Sequence, residues 1–112
     1  MSCNCNCRSF LQIESLTTTG TVFNINIAPQ TLIDGFFYTL RLNQAFPTLT
    51  GKEDVFIVNG TQNIQLTDWR GRALLSERVL RFGERLRGVY TENGIGGLPV
   101  FVVLEGICPI RP

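Results

Sequence analysis

Hydrophobic residues recur at every second position in one run after another, the pattern of half-buried strands rather than helices. In Thr21 to Ile27, Phe23, Ile25 and Ile27 share one face, and Val22, Asn24 and Asn26 share the other. In Phe36 to Leu42, Phe36, Tyr38, Leu40 and Leu42 point one way, and Phe37, Thr39 and Arg41 the other. Phe10 to Leu16 reads as a weaker strand with Leu11 and Ile13 on one side. Val55 to Val58 and Asn63 to Thr67 flank Asn59-Gly60, a dipeptide suited to a tight hairpin turn. Asp68 to Gly71 is the next turn signal, further strands are expected near 85–90 and 99–105, and Asn93 to Gly97 is a glycine-rich turn between them. One segment is ambiguous: Leu74, Leu75, Val79 and Phe82 lie at near-helical spacing, so 73–82 reads as either a short helix or a further strand.

These runs predict an all-β chain of about eight short antiparallel strands, arranged as a β-sandwich or jelly roll, with a barrel as the second choice. The expected core comprises Phe23, Ile25, Ile27, Tyr38, Leu40, Ile57, Leu66, Phe101 and Val103. With 112 residues, the chain can bury roughly two-thirds of its unfolded surface, so neither disulfide nor metal is needed merely to fold it. The expected division is an N-terminal cysteine-rich arm, residues 1–8, and one sandwich domain, residues 9–112.

Composition narrows the function classes. No histidine is present, which removes Ser-His-Asp and Cys-His nucleophile systems and every histidine-containing metal site. The one lysine, Lys52, lies in a polar stretch without the apolar company of a Schiff-base lysine. Glu53 and Asp54 are adjacent in a loop-like stretch, and Glu77 and Glu84 sit among arginines, so neither pair suggests acid-base work. Gly94-Ile95-Gly96-Gly97 precedes a strand, whereas a dinucleotide fingerprint opens a helix. Neither enzymatic activity, a cofactor nor a small-molecule substrate is expected. Net charge is +1, so no strong overall field for nucleic acid exists, and nucleic acid is not an expected partner.

Two groups of residues remain. Cys3, Cys5 and Cys7 alternate with asparagine and would present one row of thiols in an extended chain; Cys108 lies near the other end. Four thiolates could bind zinc, although the spacing is not the usual two Cys-x2-4-Cys pairs. Neighbours two apart on a strand do not readily bridge each other, so disulfides would run to Cys108 or to other chains. The third possibility is a reduced tail without a role. The second group is arginine: Arg70, Arg72, Arg78, Arg81, Arg85 and Arg87, with the last three alternating with Leu80, Phe82 and Leu86. They are read as ion-pairing residues within or between subunits, Arg78, Arg81, Arg85 and Arg87 above all, in preference to a phosphate-binding stripe.

Val100 to Leu104 is apolar throughout, so both faces of the last strand want cover, from the same chain or from a neighbour. Charged residues are only 17%, against roughly 25% in an ordinary soluble domain. No apolar run approaches the length of a membrane span, and Met1 to Arg8 lacks the apolar run of a signal peptide. The cysteine arm, one sandwich of this size and Cys108 near the C-terminus resemble the subunits of disulfide-linked bacterial endospore appendage fibres. The likeness lies in the arm and the overall plan; the cysteines here alternate instead of standing adjacent. By that resemblance Cys3, Cys5 and Cys7 would be connector cysteines and Cys108 an acceptor. The expected function is then a self-assembling structural subunit of a surface or spore-associated fibre, made in the cytoplasm, with copies of itself as partners. A phage virion accessory protein, or a small ligand-binding β module, is the alternative.

Overall fold

The structure is a computed structural model and describes residues 10–42, 44–81 and 85–104. The arm and all four cysteines, with their disulfide, thiol-cluster and metal readings, lie outside the described residues.

The chain is all-β, as the alternation predicts. Its strands are β1 (Phe10–Leu11), β2 (Ile13–Thr19), β3 (Val22–Ile27), β4 (Phe37–Arg41), β5 (Asp54–Asn59), β6 (Gln62–Thr67), β7 (Arg85–Thr91) and β8 (Val100–Val103), with one helix, α1 (Ser76–Arg81). They form one sheet in the order β1-β4-β7-β8-β6-β5-β3-β2. The two edge strands, β1 and β2, are consecutive in sequence and separated only by Gln12. Two Cα steps span at most about 7.6 Å. The edges of the sheet therefore meet, and the sheet rolls into a nearly closed barrel, the second-choice architecture.

One expectation is corrected. The strands are not uniformly antiparallel: β1·β4, β3·β5 and β6·β8 are parallel, and the other four pairings are antiparallel. A tight hairpin can join only antiparallel strands, and a parallel pair needs a longer crossover. The segment holding β4 separates β3 from β5, and the segment holding α1 and β7 separates β6 from β8. Alternation along a strand reports burial but not the direction of its neighbour.

All nine expected core residues are buried, seven of them at 0% exposure: Phe23, Ile25, Leu40, Ile57, Leu66, Phe101 and Val103. Side chains from every strand line one interior, joined by Leu74 and Val79 from the α1 region. The helix is shorter than the spacing predicts. Ala73 and Leu75 instead bridge Thr67 and Asp54, and the helix starts at Ser76. Phe36 was expected inward and is 47% exposed. It precedes β4, where its carbonyl accepts from the Tyr90 N–H, and the chain is still turning there.

The turn near Asn59-Gly60 is also displaced by one residue. Asn59 pairs with Gln62, so the turn residues are Gly60 and Thr61, with Gly60 at φ 65°. Asn59 is buried and turns its amide on the Gln30 backbone: its Nδ2 donates to the Gln30 carbonyl at 2.7 Å, and its Oδ1 accepts from the Gln30 N–H at 2.9 Å. In the last strand, Phe101 and Val103 face the interior. The outward Val100 is covered by the chain's own preceding turn, so close that a Cβ on Gly94 would stand 2.4 Å from a Val100 methyl.

Candidate interaction surfaces at the barrel ends

Strand directions sort the connecting turns onto two ends. β4 begins where β7 ends and β8 begins, because Phe37 pairs with Val89 and Thr91 with Val100. β6 runs parallel to β8, with Gln65 opposite Val100, so its last residue, Thr67, points to the opposite end. The first end therefore carries the turn before β4, residues 33–36, and the turn after β7, which starts with Glu92. The second carries the turn after β6, residues 68–72, together with α1 and the residues before β5.

Large apolar side chains stand exposed at both ends. Ile33 (49%), Phe36 (47%) and Leu98 (67%) are at the first end, and Trp69 (64%) and Leu80 (47%) at the second. Among the described residues, Phe10 is also exposed and lies on the wall, in β1.

Neither set hangs on a loose loop. At the first end, the Gly35 N–H donates to the Tyr90 carbonyl at 2.7 Å, the Phe36 N–H to the Ile33 carbonyl at 3.1 Å, and the Glu92 N–H to Asp34 Oδ1 at 2.9 Å. The Tyr38 hydroxyl accepts from the Ile33 N–H at 3.0 Å. At the second end, Asp68 Oδ1 accepts from the Arg70 and Arg72 N–H groups, each at 2.9 Å, and the Gly71 N–H donates to the Asp68 carbonyl. The Arg72 amide first, with the Arg70 amide and the nearby Arg72 and Arg78 charges, holds the Asp68 carboxyl below its usual value. The Arg70 guanidinium lies 4.7 Å from the Trp69 ring centroid, within cation–π range.

The ends differ in charge. At the first, Asp34 and Glu92 are exposed, and no lysine or arginine stands there among the described residues. At the second, Arg70, Arg72 and Arg81 are exposed, Arg78 is half-buried, and Lys52 and Arg85 stand close by in the topology. The acids at this end are in part used internally. Glu53, assigned to a loop by sequence, is buried and accepts from the Ser76 hydroxyl at 2.6 Å, the Thr50 N–H at 2.9 Å and the Gly51 N–H at 3.1 Å. The Ser76 hydroxyl first, then the Thr50 amide, with smaller help from the Glu53 amide and the Thr50 hydroxyl, pulls its carboxyl down to about 2 against the opposing effect of burial.

The four arginines read as ion-pairing residues fall on two elements. Arg78 and Arg81 are on α1, and Arg85 and Arg87 are on β7, with Arg87 at mid-strand opposite Thr39. Sequence reasoning missed Arg41, which stands directly across from Arg85 and lies 4.2 Å from the Phe10 ring centroid. It also missed the turn apolars Ile33, Phe36, Trp69 and Leu98. The available signal was clearest for Trp69, a large apolar residue inside the Asp68 to Gly71 turn.

At the β1–β2 junction a cleft of about 280 Å3 is lined by Phe10, Leu11, Gln12, Ile13 and Arg41. It carries one charged side chain. Among the described residues no three acidic or cysteine side chains converge as a metal site, and no helix is long and apolar enough to cross a membrane. No family model, curated protein or solved structure matches the chain.

Proposed function

We propose that this protein is a self-assembling structural subunit whose barrels associate with copies of themselves and are tied together through the cysteine arm. The observation that carries the reading is the concentration of exposed large apolar residues at the two barrel ends. An exposed Trp69, Leu98, Ile33 or Phe36 costs solvation free energy that burial against a neighbour would recover, at roughly 25 cal/mol per Å2. Both turns are hydrogen-bonded into shape, so little ordering entropy opposes docking. Cys3, Cys5, Cys7 and Cys108 would then make the contacts covalent, in keeping with the resemblance to endospore appendage subunits.

Two preparations test this reading: electron microscopy of concentrated protein, and denaturing electrophoresis with and without reductant. Filaments, with a ladder that collapses on reduction, are the expected result. Closed shells without a ladder would favour the virion accessory role, and monomer throughout would overturn self-assembly.

A further inference from the structure

We infer that copies of this barrel stack head to tail, the Ile33–Phe36 end of one seated on the Trp69–Arg70 end of the next. The inference deepens the self-assembly reading and rests on it. It names the two surfaces that meet and the polarity that results.

Three observations support it. The surfaces lie at opposite ends, because β6 runs away from the end at which β4 and β8 begin. Their charges are complementary: Asp34 and Glu92 on one face, Arg70 and Arg72 on the other. Each face also sets apolar surface beside its charge, Ile33 and Phe36 beside the acids and Trp69 beside the arginines. Trp and Arg together are the side chains most often found to dominate binding energy at interfaces. Arginine forks suit carboxylates, and the Arg70 stack on Trp69 holds one fork near the ring.

Two identical faces could not meet this way, since acid would face acid and arginine would face arginine. A contact between unlike faces is heterologous. Unless its rotation closes into a ring, it propagates as a filament. Opposite charge at the two ends also aligns incoming subunits before contact, and salt weakens that steering.

Charge reversal tests the pairing. It keeps the backbone N–H bonds to Asp68 and Asp34, and at the basic end it also removes the Arg72 charge that helps hold the Asp68 carboxyl low. Arg70→Glu/Arg72→Glu makes the basic end acidic, and Glu92→Arg cancels the negative charge of the acidic end by setting an arginine beside Asp34. The full-length proteins are studied in reductant by sedimentation velocity, alone and mixed, at about 0.05 M and about 0.5 M NaCl. Wild type should associate, at least about tenfold more weakly at the higher salt. Each variant alone should associate at least about tenfold more weakly than wild type, and the equimolar mixture should recover association. Recovery is the decisive result, since a misfolded variant cannot give it. If each variant associates like wild type, or the mixture recovers nothing, head-to-tail docking is wrong while self-assembly stands. If wild type itself stays monomeric in every condition, reduced and oxidised, both fail.

Discussion

The Ser76 hydroxyl donates to Glu53 Oε1 at 2.6 Å, joining the first turn of α1 to the residue before β5 across 23 positions of sequence. With the Thr50 amide and hydroxyl and the Glu53 amide, this bond holds the Glu53 carboxyl near 2, below its ordinary value of 4.5. A carboxyl depressed in the folded state contributes stability that is fully present above its unfolded value and is lost as pH falls through the folded value. That contribution should therefore fade between about pH 4.5 and about pH 2. Thermal melts across that range should show Glu53→Gln with a lower melting temperature at neutral pH and a flatter acid limb than wild type. Parallel curves for the two proteins would show that Glu53 has no such role.

Gly88 sits where no other residue fits. A Cβ there would stand 2.4 Å from the Val102 carbonyl oxygen and 2.6 Å from the Phe101 ring. Backbone on one side and a fully buried ring on the other leave little room to adjust. Gly88→Ala should cost about 1–3 kcal/mol or more, read from denaturant midpoints. An unchanged midpoint would mean that β7 and β8 approach less closely than the structure shows.

The Asn59 amide satisfies both backbone groups of Gln30, and Asn59→Ala leaves them unpaired. The expected cost is about 1–3 kcal/mol. Thr39 and Thr67 present the opposite case, since each hydroxyl is enclosed without a hydrogen-bond partner among the described residues. Thr67→Val keeps the shape and removes an unsatisfied group, so stability should rise by about 1 kcal/mol. Denaturant melts of the two variants should move in opposite directions.

Much of the wall was legible in the sequence, because each strand follows its own alternation. Phe23, Ile25 and Ile27 announce a face, and the pleat delivers it. The parallel pairings were not legible, since whether β3 lies beside β5 depends on how the intervening chain crosses the barrel. Glu53 was hidden because Gly51-Lys52-Glu53-Asp54 is polar in composition, and its burial comes from Ser76, distant in sequence. The placement of the arginines was not legible either, because Arg78 and Arg81 follow the helical period while Arg85 and Arg87 follow the strand period. The candidate surfaces are a property of strand direction. Phe36 reads as a strand residue and Trp69 as a turn residue, and the register sends them to opposite ends.

The central claim is that the barrel folds alone and assembles through its ends, with the arm as a covalent tie. It is tested most directly by deleting residues 1–7 and sizing the oxidised protein in increasing denaturant by light scattering, beside full-length chain. The account predicts a deletion variant with an unchanged circular dichroism spectrum. Its assemblies should dissociate at lower denaturant than those of the full-length chain, which should resist until reductant is added. Assemblies of equal size and equal resistance with and without the arm would contradict it.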